Sequence, residues 1–349
     1  EVNGPVSVTG SSASHQRKIH PPAPEPSPAR RAAWVVVAAL LAVLAVLPPF
    51  YLSGYWVRVI TGLLMYAALA SAINIMVGFA GYPALGNIVF FGTGAYTVAV
   101  LMVKYNTGFF VALAAAGVLA AVYAALLGTA VLRLRGAYFG IATIGINHAT
   151  SELVTNLDRL TGGGRGTIVP FYPGGIEEER MFFYYLMLGL MVLSVFTVWV
   201  ISRNRLGYGL RALKADQEGA SVMGVNTTRY KVIAWTISAG LTGLVGGAYA
   251  YWLAFLEPPY VFDITMSVKT YIMAILGGAG TVIGPVVGAF ALELLSELIW
   301  GRFLEAHMLV LGIVVVLVVL FIPQGFMNLV GRLLGGQRRR RAKEVRADG

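Results

Sequence analysis

The sequence predicts an all-α polytopic transmembrane bundle of about ten membrane segments, short or broken helices among them, with both termini cytoplasmic. Three observations carry that expectation. Of 349 residues, 57% are hydrophobic and only 12% charged, about half the roughly 25% that soluble domains carry. Charge-free runs cover 32–57, 59–103 and 181–202, and about 20 apolar residues suffice to cross a bilayer core of about 30 Å. The basic residues, finally, are spread unevenly between the connections. A transmembrane β-barrel would need alternating segments of about ten residues, and these are absent.

Hydropathy and helix breakers place the segments at 34–52, 58–77, 84–103, 109–132, 137–155, 181–201, 232–255, 267–280, 284–300 and 307–330. Two are weak: 137–155 contains polar residues, and 267–280 is short for a crossing at about 1.5 Å per residue. With the N-terminus inside, the inner connections hold four basic residues in 1–33, Arg133 and Arg135, six in 202–231 and seven after 331. Seven remain elsewhere in the chain. Cytoplasmic connections carry the excess of Lys and Arg, so both ends read as cytoplasmic. Omitting 267–280 would put either the basic tail or 202–231 outside, which argues that the short piece is a segment.

The chain divides into a leader (1–33), a membrane domain (34–330) and a basic tail (331–349). The leader has no short apolar core with a cleavage site, so it does not read as a signal peptide. Its Pro21, Pro22, Pro24, Pro26 and Pro28 predict an extended, disordered stretch. With no cysteine, disulfides and thiolate metal sites are excluded. The net charge of +10 reflects topology rather than nucleic-acid binding. The tail reads as a topology anchor, with contact to anionic lipid as the alternative.

Glycine supplies the first functional signal: 42 residues, about 12% against an average near 7%. Gly243, Gly246 and Gly247 share one segment, and Gly277, Gly278, Gly280, Gly284 and Gly288 punctuate 267–300 together with Pro285. Small residues four apart, as in Gly284-x-x-x-Gly288 and Gly136-x-x-x-Gly140, let helix backbones touch. Glycine breaks at membrane depth free backbone groups that protein or a water-filled path must receive, and transporters place solutes at such breaks. A similar break, the first along the chain, is expected over Gly78 to Tyr96, where Pro83 can start a helix and Gly86 permits close approach. Asn87, Thr93 and Tyr96 add hydrogen-bonding groups for a solute there. Ordinary packing and interhelix hydrogen bonding stay open as the competing reading.

Ionisable residues inside segments are few: His148, Glu152, Glu293 and Glu297. Such groups are functional candidates by default, but they form no regular relay of the kind an ion-driven pump needs. The connection 156–180 faces outside, carries Glu177, Glu178 and Glu179, and reads either as a solvated connector or as a docking surface. In 202–231 a helix is expected with Leu210, Leu213, Ala220 and Met223 on one side, and Arg211, Lys214, Asp216 and Glu218 on the other. Gly224 and Asn226 end it. It could be a passive interfacial turn or a plug for a groove on a cytoplasmic partner. No phosphate loop, zinc pair or nucleophile elbow is present, which argues against an enzyme.

Several motifs together resemble the permeases of branched-chain amino acid ABC transporters. Gly207-Tyr-Gly-Leu-Arg-Ala-Leu-Lys-Ala-Asp216 with Ala220-x-x-x-Gly224 is similar to their cytoplasmic coupling loop. Lys231-x-x-Ala-Trp-Thr-Ile-Ser-Ala-Gly-Leu-Thr-Gly-Leu-Val-Gly-Gly247 is similar to the helix that follows it. Pro258, Ser267 and Leu276-Gly-Gly-Ala-Gly-Thr-Val-Ile-Gly-Pro-Val-Val-Gly-Ala289 resemble the glycine signature. Leu132-Arg-Leu-Arg-Gly-Ala-Tyr-Phe139 and Thr161-Gly-Gly163 are typical of the M-type subunit, which pairs with an H-type one. Two departures stand out: Ala84-Leu-Gly-Asn87 replaces a common Ser-Leu-Gly-His, and Arg165 stands where an acidic residue is common.

The resemblance, covering about 58–330, implies a multi-pass protein of the bacterial inner membrane. It implies a second permease subunit, two cytoplasmic ATPase subunits that hold ATP and Mg, and an external solute-binding protein, with no cofactor on this chain. The solute would be a branched-chain amino acid or a related urea, amide or aromatic acid. Coupling to the ATPases is expected at Gly207, Leu210, Arg211, Leu213, Lys214, Asp216, Ala220, Met223 and Gly224. The solute pathway is expected at Gly86, Asn87, Thr93, Tyr96, Tyr138, Gly277, Gly278 and Gly280, and external docking at Thr161, Gly162, Gly163 and Arg165. An ion-coupled carrier or channel is the alternative function; a scaffold has little support.

Overall fold

A computed structural model describes residues 53–300, without the side chains of the last three. The leader, the expected segments 34–52 and 307–330, and the tail lie outside the described residues.

A helix forms at each of the eight expected membrane segments within that range. Helix α1 (Gly54–Asn74) runs into a π turn (Ile75–Ala80) and is ended by left-handed Gly81. It is followed by α2 (Ile88–Tyr105), α3 (Phe109–Val131) and α4 (Ala137–Asn156). A connector holds α5 (Asp158–Thr161), a 3-10 turn (Gly163–Arg165) and strand β1 (Thr167–Ile168). Then come α6 (Ile176–Arg203), α7 (Arg205–Ala215), α8 (Gln217–Val222) and α9 (Thr227–Leu253). Strand β2 (Phe255–Leu256), α10 (Pro258–Val261), α11 (Ile264–Gly278) and α12 (Gly284–Trp300) complete the range. Among the described residues, six stretches are long and apolar enough to cross a membrane: α1 with its π turn, α2, α3, α6, α9, and α10 with α11. The polar α4 and the short α12 are not among them.

Small residues decide the packing, as expected from the glycine content. Helix α9 lies against α2 so closely that a Cβ on Gly94 would strike the Gly243 carbonyl, and one on Gly246 the Phe91 carbonyl. Helices α11 and α12 meet likewise through Gly277, Gly284 and Gly288. The Gly136–Gly140 pair does not work this way. Gly136 has open space beside it and serves instead as a positive-φ turn before α4. Beneath the first break, Trp235 packs edge-on against Phe90 and Phe139 at 5.7 and 5.3 Å.

Three expectations are corrected. Pro83 starts no helix: 81–87 stays irregular and α2 begins at Ile88. Helix α6 begins at Ile176, so Glu177, Glu178 and Glu179 belong to its first turn rather than to a loop, where negative charge complements the helix dipole. The helix expected through 210–223 is two helices, because Asp216 is extended and its side chain accepts the Glu218 N–H at 3.0 Å as the cap of α8.

The connections sort to two ends. Residues 81–87, 132–136, 204–226 and 279–283 meet at one, where Lys214 bonds Gly78, Lys231 bonds Leu132 and Asn74 bonds Thr281. At the other end β1 pairs antiparallel with β2, Thr167 opposite Leu256 and Ile168 opposite Phe255.

Candidate functional site

The two glycine breaks touch each other. A Cβ on Gly78 would collide with the Gly280 nitrogen, so the backbones approach as only glycine allows. Fully buried Asn74 joins them: its Oδ1 accepts the Gly280 N–H at 2.8 Å, and its Nδ2 donates to the Thr281 carbonyl at 2.8 Å. Gly280 sits at φ 86°, and Thr281 Oγ1 donates to the Gly278 carbonyl at 2.7 Å. Backbone groups freed by the breaks thus find partners inside the protein, the condition under which broken helices persist at membrane depth.

The α7–α8 segment is bonded to the first break. Lys214 Nζ donates to the Gly78 carbonyl at 2.9 Å, a cation at the carbonyl end of α1 where the helix dipole favours it. The Arg211 guanidinium lies 5.2 Å from the Phe79 ring centroid, within cation–π range. Tyr82 OH donates to Gln217 Oε1 at 2.7 Å. Lys231, buried, donates to the Tyr82 hydroxyl at 3.1 Å and to the Leu132 carbonyl at 2.8 Å. Tyr82, which is outside the spans, has its hydroxyl pKa pushed up by burial, with the Arg135 charge acting the other way. Arg135 also pairs with Glu218 at 3.1 Å.

The side of this segment expected to face a partner is largely turned inward. Gly207, Leu210, Leu213 and Ala220 are buried against their own chain, and a Cβ on Gly207 would meet the Ile201 carbonyl. Met223 is 86% exposed, and so is Val222. Arg211, Lys214, Asp216 and Gly224 also lie at the surface; Gly224, at φ 85°, ends the segment.

The expected pathway residues divide. Gly86 packs on the Thr143 backbone and donates its N–H to Thr143 Oγ1 at 3.1 Å. Asn87 donates to Thr242 Oγ1 at 3.0 Å, while its Oδ1 is buried without a partner. The Tyr96 hydroxyl is likewise buried and unpartnered, its ring stacked on Phe262 at 6.2 Å. Thr93 bonds the Val89 carbonyl at 2.7 Å within its own helix. Tyr138 is 75% exposed and stands apart from the others. Gly277, Gly278 and Gly280 belong to the second break.

At the opposite end, buried Thr161 organises the connector. Its Oγ1 donates toward the Val154 and Leu157 carbonyls (2.6 and 3.0 Å) and accepts the Gly163 N–H at 3.2 Å. Its carbonyl accepts from Thr167 Oγ1. Gly162 and Gly163 adopt positive φ, and Arg165 is exposed beyond them. A cleft of about 350 Å³ opens beside this turn, lined by Lys104, Asp158, Gly162 and Thr167 among others.

The ionisable residues of the helices separate as well. Glu293 pairs with Lys269 at 2.6 Å, and Glu297 accepts from the Tyr55 hydroxyl. His148 and Glu152 are exposed.

Sequence reasoning gave no site role to Asn74, Tyr82, Gln217 or Lys231. For Asn74 and Lys231 a signal existed, since each is a polar residue inside or bordering a long apolar run.

Comparison with known proteins agrees with this architecture. The chain is 33% identical over 317 residues to the high-affinity branched-chain amino acid transport system permease protein LivM of Escherichia coli K12, covering 83% of this chain and 74% of that protein. The Salmonella typhimurium LivM is also 33% identical, over 319 residues, with the same coverage. A more distant likeness, 25% over 137 residues, links 36% of the chain to 39% of the autoinducer 2 import system permease protein LsrC of Salmonella paratyphi B. No solved structure matches. The family model for the permease component of branched-chain amino acid transport systems matches residues 55–319, and the chain belongs to that family of multi-pass membrane transport permeases.

Proposed function

We propose that this chain is the M-type half of the pore of an ATP-driven importer in a bacterial inner membrane. It passes a branched-chain amino acid, or a related urea, amide or aromatic acid, delivered by an external binding protein. Two cytoplasmic ATPase subunits hold the ATP and Mg, and a second, H-type permease completes the pore.

The observation that carries this reading is the bonding of α7–α8 to a glycine break through Lys214 and Gln217. A surface segment fixed to a glycine break is suited to being moved from outside the membrane. A push on α7–α8 reaches Gly78 through Lys214, and reaches the second break through Asn74. Rotation there changes which side of the bundle is open.

Ten crossings with both termini inside fit the sorted connections. The end that carries α7–α8 holds eight basic residues (Arg133, Arg135, Arg203, Arg205, Arg211, Lys214, Arg229 and Lys231) against Asp216 and Glu218, whereas at the opposite end Arg58, Lys104, Arg159, Arg165 and Arg180 are outnumbered by Asp158, Glu177, Glu178, Glu179, Glu257 and Asp263. Positive charge marks the cytoplasmic side. The ion-coupled alternative is weakened because Glu293 and Glu297 are engaged within the chain.

The exposed Val222 and Met223 are the clean test positions. Val222→Asp with Met223→Asp should release co-expressed ATPase subunits on purification while the permease stays folded. Full retention of the ATPases by that double variant would overturn the coupling role. Aspartate at Leu213 or Ala220 would not discriminate, since both side chains are buried in the permease itself.

A further inference from the structure

We infer that the outer face of α4 lines the water-filled path of the solute, with Glu152 placed to take a cationic amino group near the outer mouth and His148 one turn deeper. The inference rests on the importer reading.

Helix α4 has two unlike faces. Phe139, Gly140, Thr143, Asn147, Thr150 and Val154 are buried; Thr143 receives the Gly86 N–H, and Asn147 donates to the Phe262 carbonyl at 2.7 Å. The other face carries Tyr138, Ile141, Gly145, His148, Glu152 and Asn156, all exposed. Steps of three and four residues put these six on one stripe of a helix. Because the buried face is anchored by named bonds, the stripe points away from the other described residues.

Lipid is a poor neighbour for it. Ionisable side chains at membrane depth pair with one another or face water, and α4 is not among the six stretches apolar enough to cross. Glu293 and Glu297 satisfy that requirement with Lys269 and Tyr55. His148 and Glu152 make no side-chain hydrogen bond or ion pair among the described residues. They lie about 12 and 6 Å in from the Asn156 end, at about 1.5 Å per residue.

The sequence of the expected segments 34–52 and 307–330 contains neither lysine nor arginine. A carboxylate with no cation beside it among the described residues suits a solute that brings one, as the ammonium group of an amino acid does. The same helix leans on the first break through Gly86 against Thr143 and Gly140 against Pro83. Movement of the break therefore carries the stripe with it.

The absence of native cysteine makes the test direct. Single variants His148→Cys and Glu152→Cys, with Val118→Cys on α3 and Phe196→Cys on α6 as exposed apolar references, are treated with a charged methanethiosulfonate in membrane vesicles holding the assembled transporter. Positions 148 and 152 should react at least tenfold faster than 118 and 196. In the same vesicles Glu152→Gln should lower ATP-driven leucine uptake at least tenfold, with Glu152→Asp retaining part of it. Reactivity at 148 and 152 as low as at 118, whether lipid or another subunit covers them, would overturn the inference. So would wild-type leucine uptake by Glu152→Gln. Absence of ATP-driven uptake by the unmodified transporter would sink the importer reading instead, while the labelling still decides whether the stripe meets water.

Discussion

Asn74 spends its whole side-chain amide on the backbone next to Gly280, accepting the Gly280 N–H and donating to the following Thr281 carbonyl, both at 2.8 Å. Residues more than two hundred positions apart are thereby fixed to each other at the point where both helices are interrupted.

Asn74→Leu removes both bonds and leaves a part-buried donor and acceptor without their partner, at up to about 1–3 kcal/mol for each group. The apparent melting temperature of the purified protein in detergent should fall by several degrees. Differential scanning fluorimetry measures it, and an unchanged midpoint would remove the staple from the account.

Gly78→Ala forces a methyl group against the Gly280 nitrogen, and overpacking of this kind costs about 1–3 kcal/mol. Gly62→Ala is the matched control on the same helix, with nothing within 4 Å of the added carbon. It should be neutral or stabilising by up to about 1 kcal/mol. Thermal unfolding of the two variants side by side gives the comparison.

Lys214→Met cuts the bond from α7 to the Gly78 carbonyl while keeping the length of the side chain. ATPase subunits should still co-purify, because the exposed Val222 and Met223 are untouched. ATP-driven uptake should drop about tenfold, with ATP hydrolysis becoming less responsive to loaded binding protein. Uptake and hydrolysis measured on the same proteoliposomes separate transmission from assembly.

Thr161→Val deletes the hydroxyl bonds that shape the external turn, each worth about 0.5–1.5 kcal/mol net. More binding protein should then be needed for half-maximal uptake, with ATPase association unaffected. A titration of loaded binding protein against uptake reads this out.

Long charge-free runs made the helices legible, and the charge bias rescued 267–280, whose helix α11 is only 15 residues long. What the sequence hid was which face of each helix packs. Leu210, Leu213 and Ala220 share a phase whether the helix is continuous or broken, and the Asp216 cap breaks it. In a soluble protein an apolar face signals burial, but in a membrane apolar residues cover both sides, so Tyr138 gave no sign of its exposure. Buried Asn74 and Lys231 were the readable exceptions, since a polar group in an oily run must find a partner. Which partner it finds depends on contacts too distant along the chain for one sequence to reveal.

The strand pair Thr167–Ile168 with Phe255–Leu256 has a mechanical consequence. It clips the outer turn around Thr161 to the start of α10–α11, and α11 ends at Gly278 beside the staple. That rod of about 22 Å, at about 1.5 Å per residue, links the end of the molecule that carries the strand pair to the glycine breaks. On the proposed importer reading, a load set on the turn around Thr161 and a push on α7–α8 would act on opposite tips of one bar.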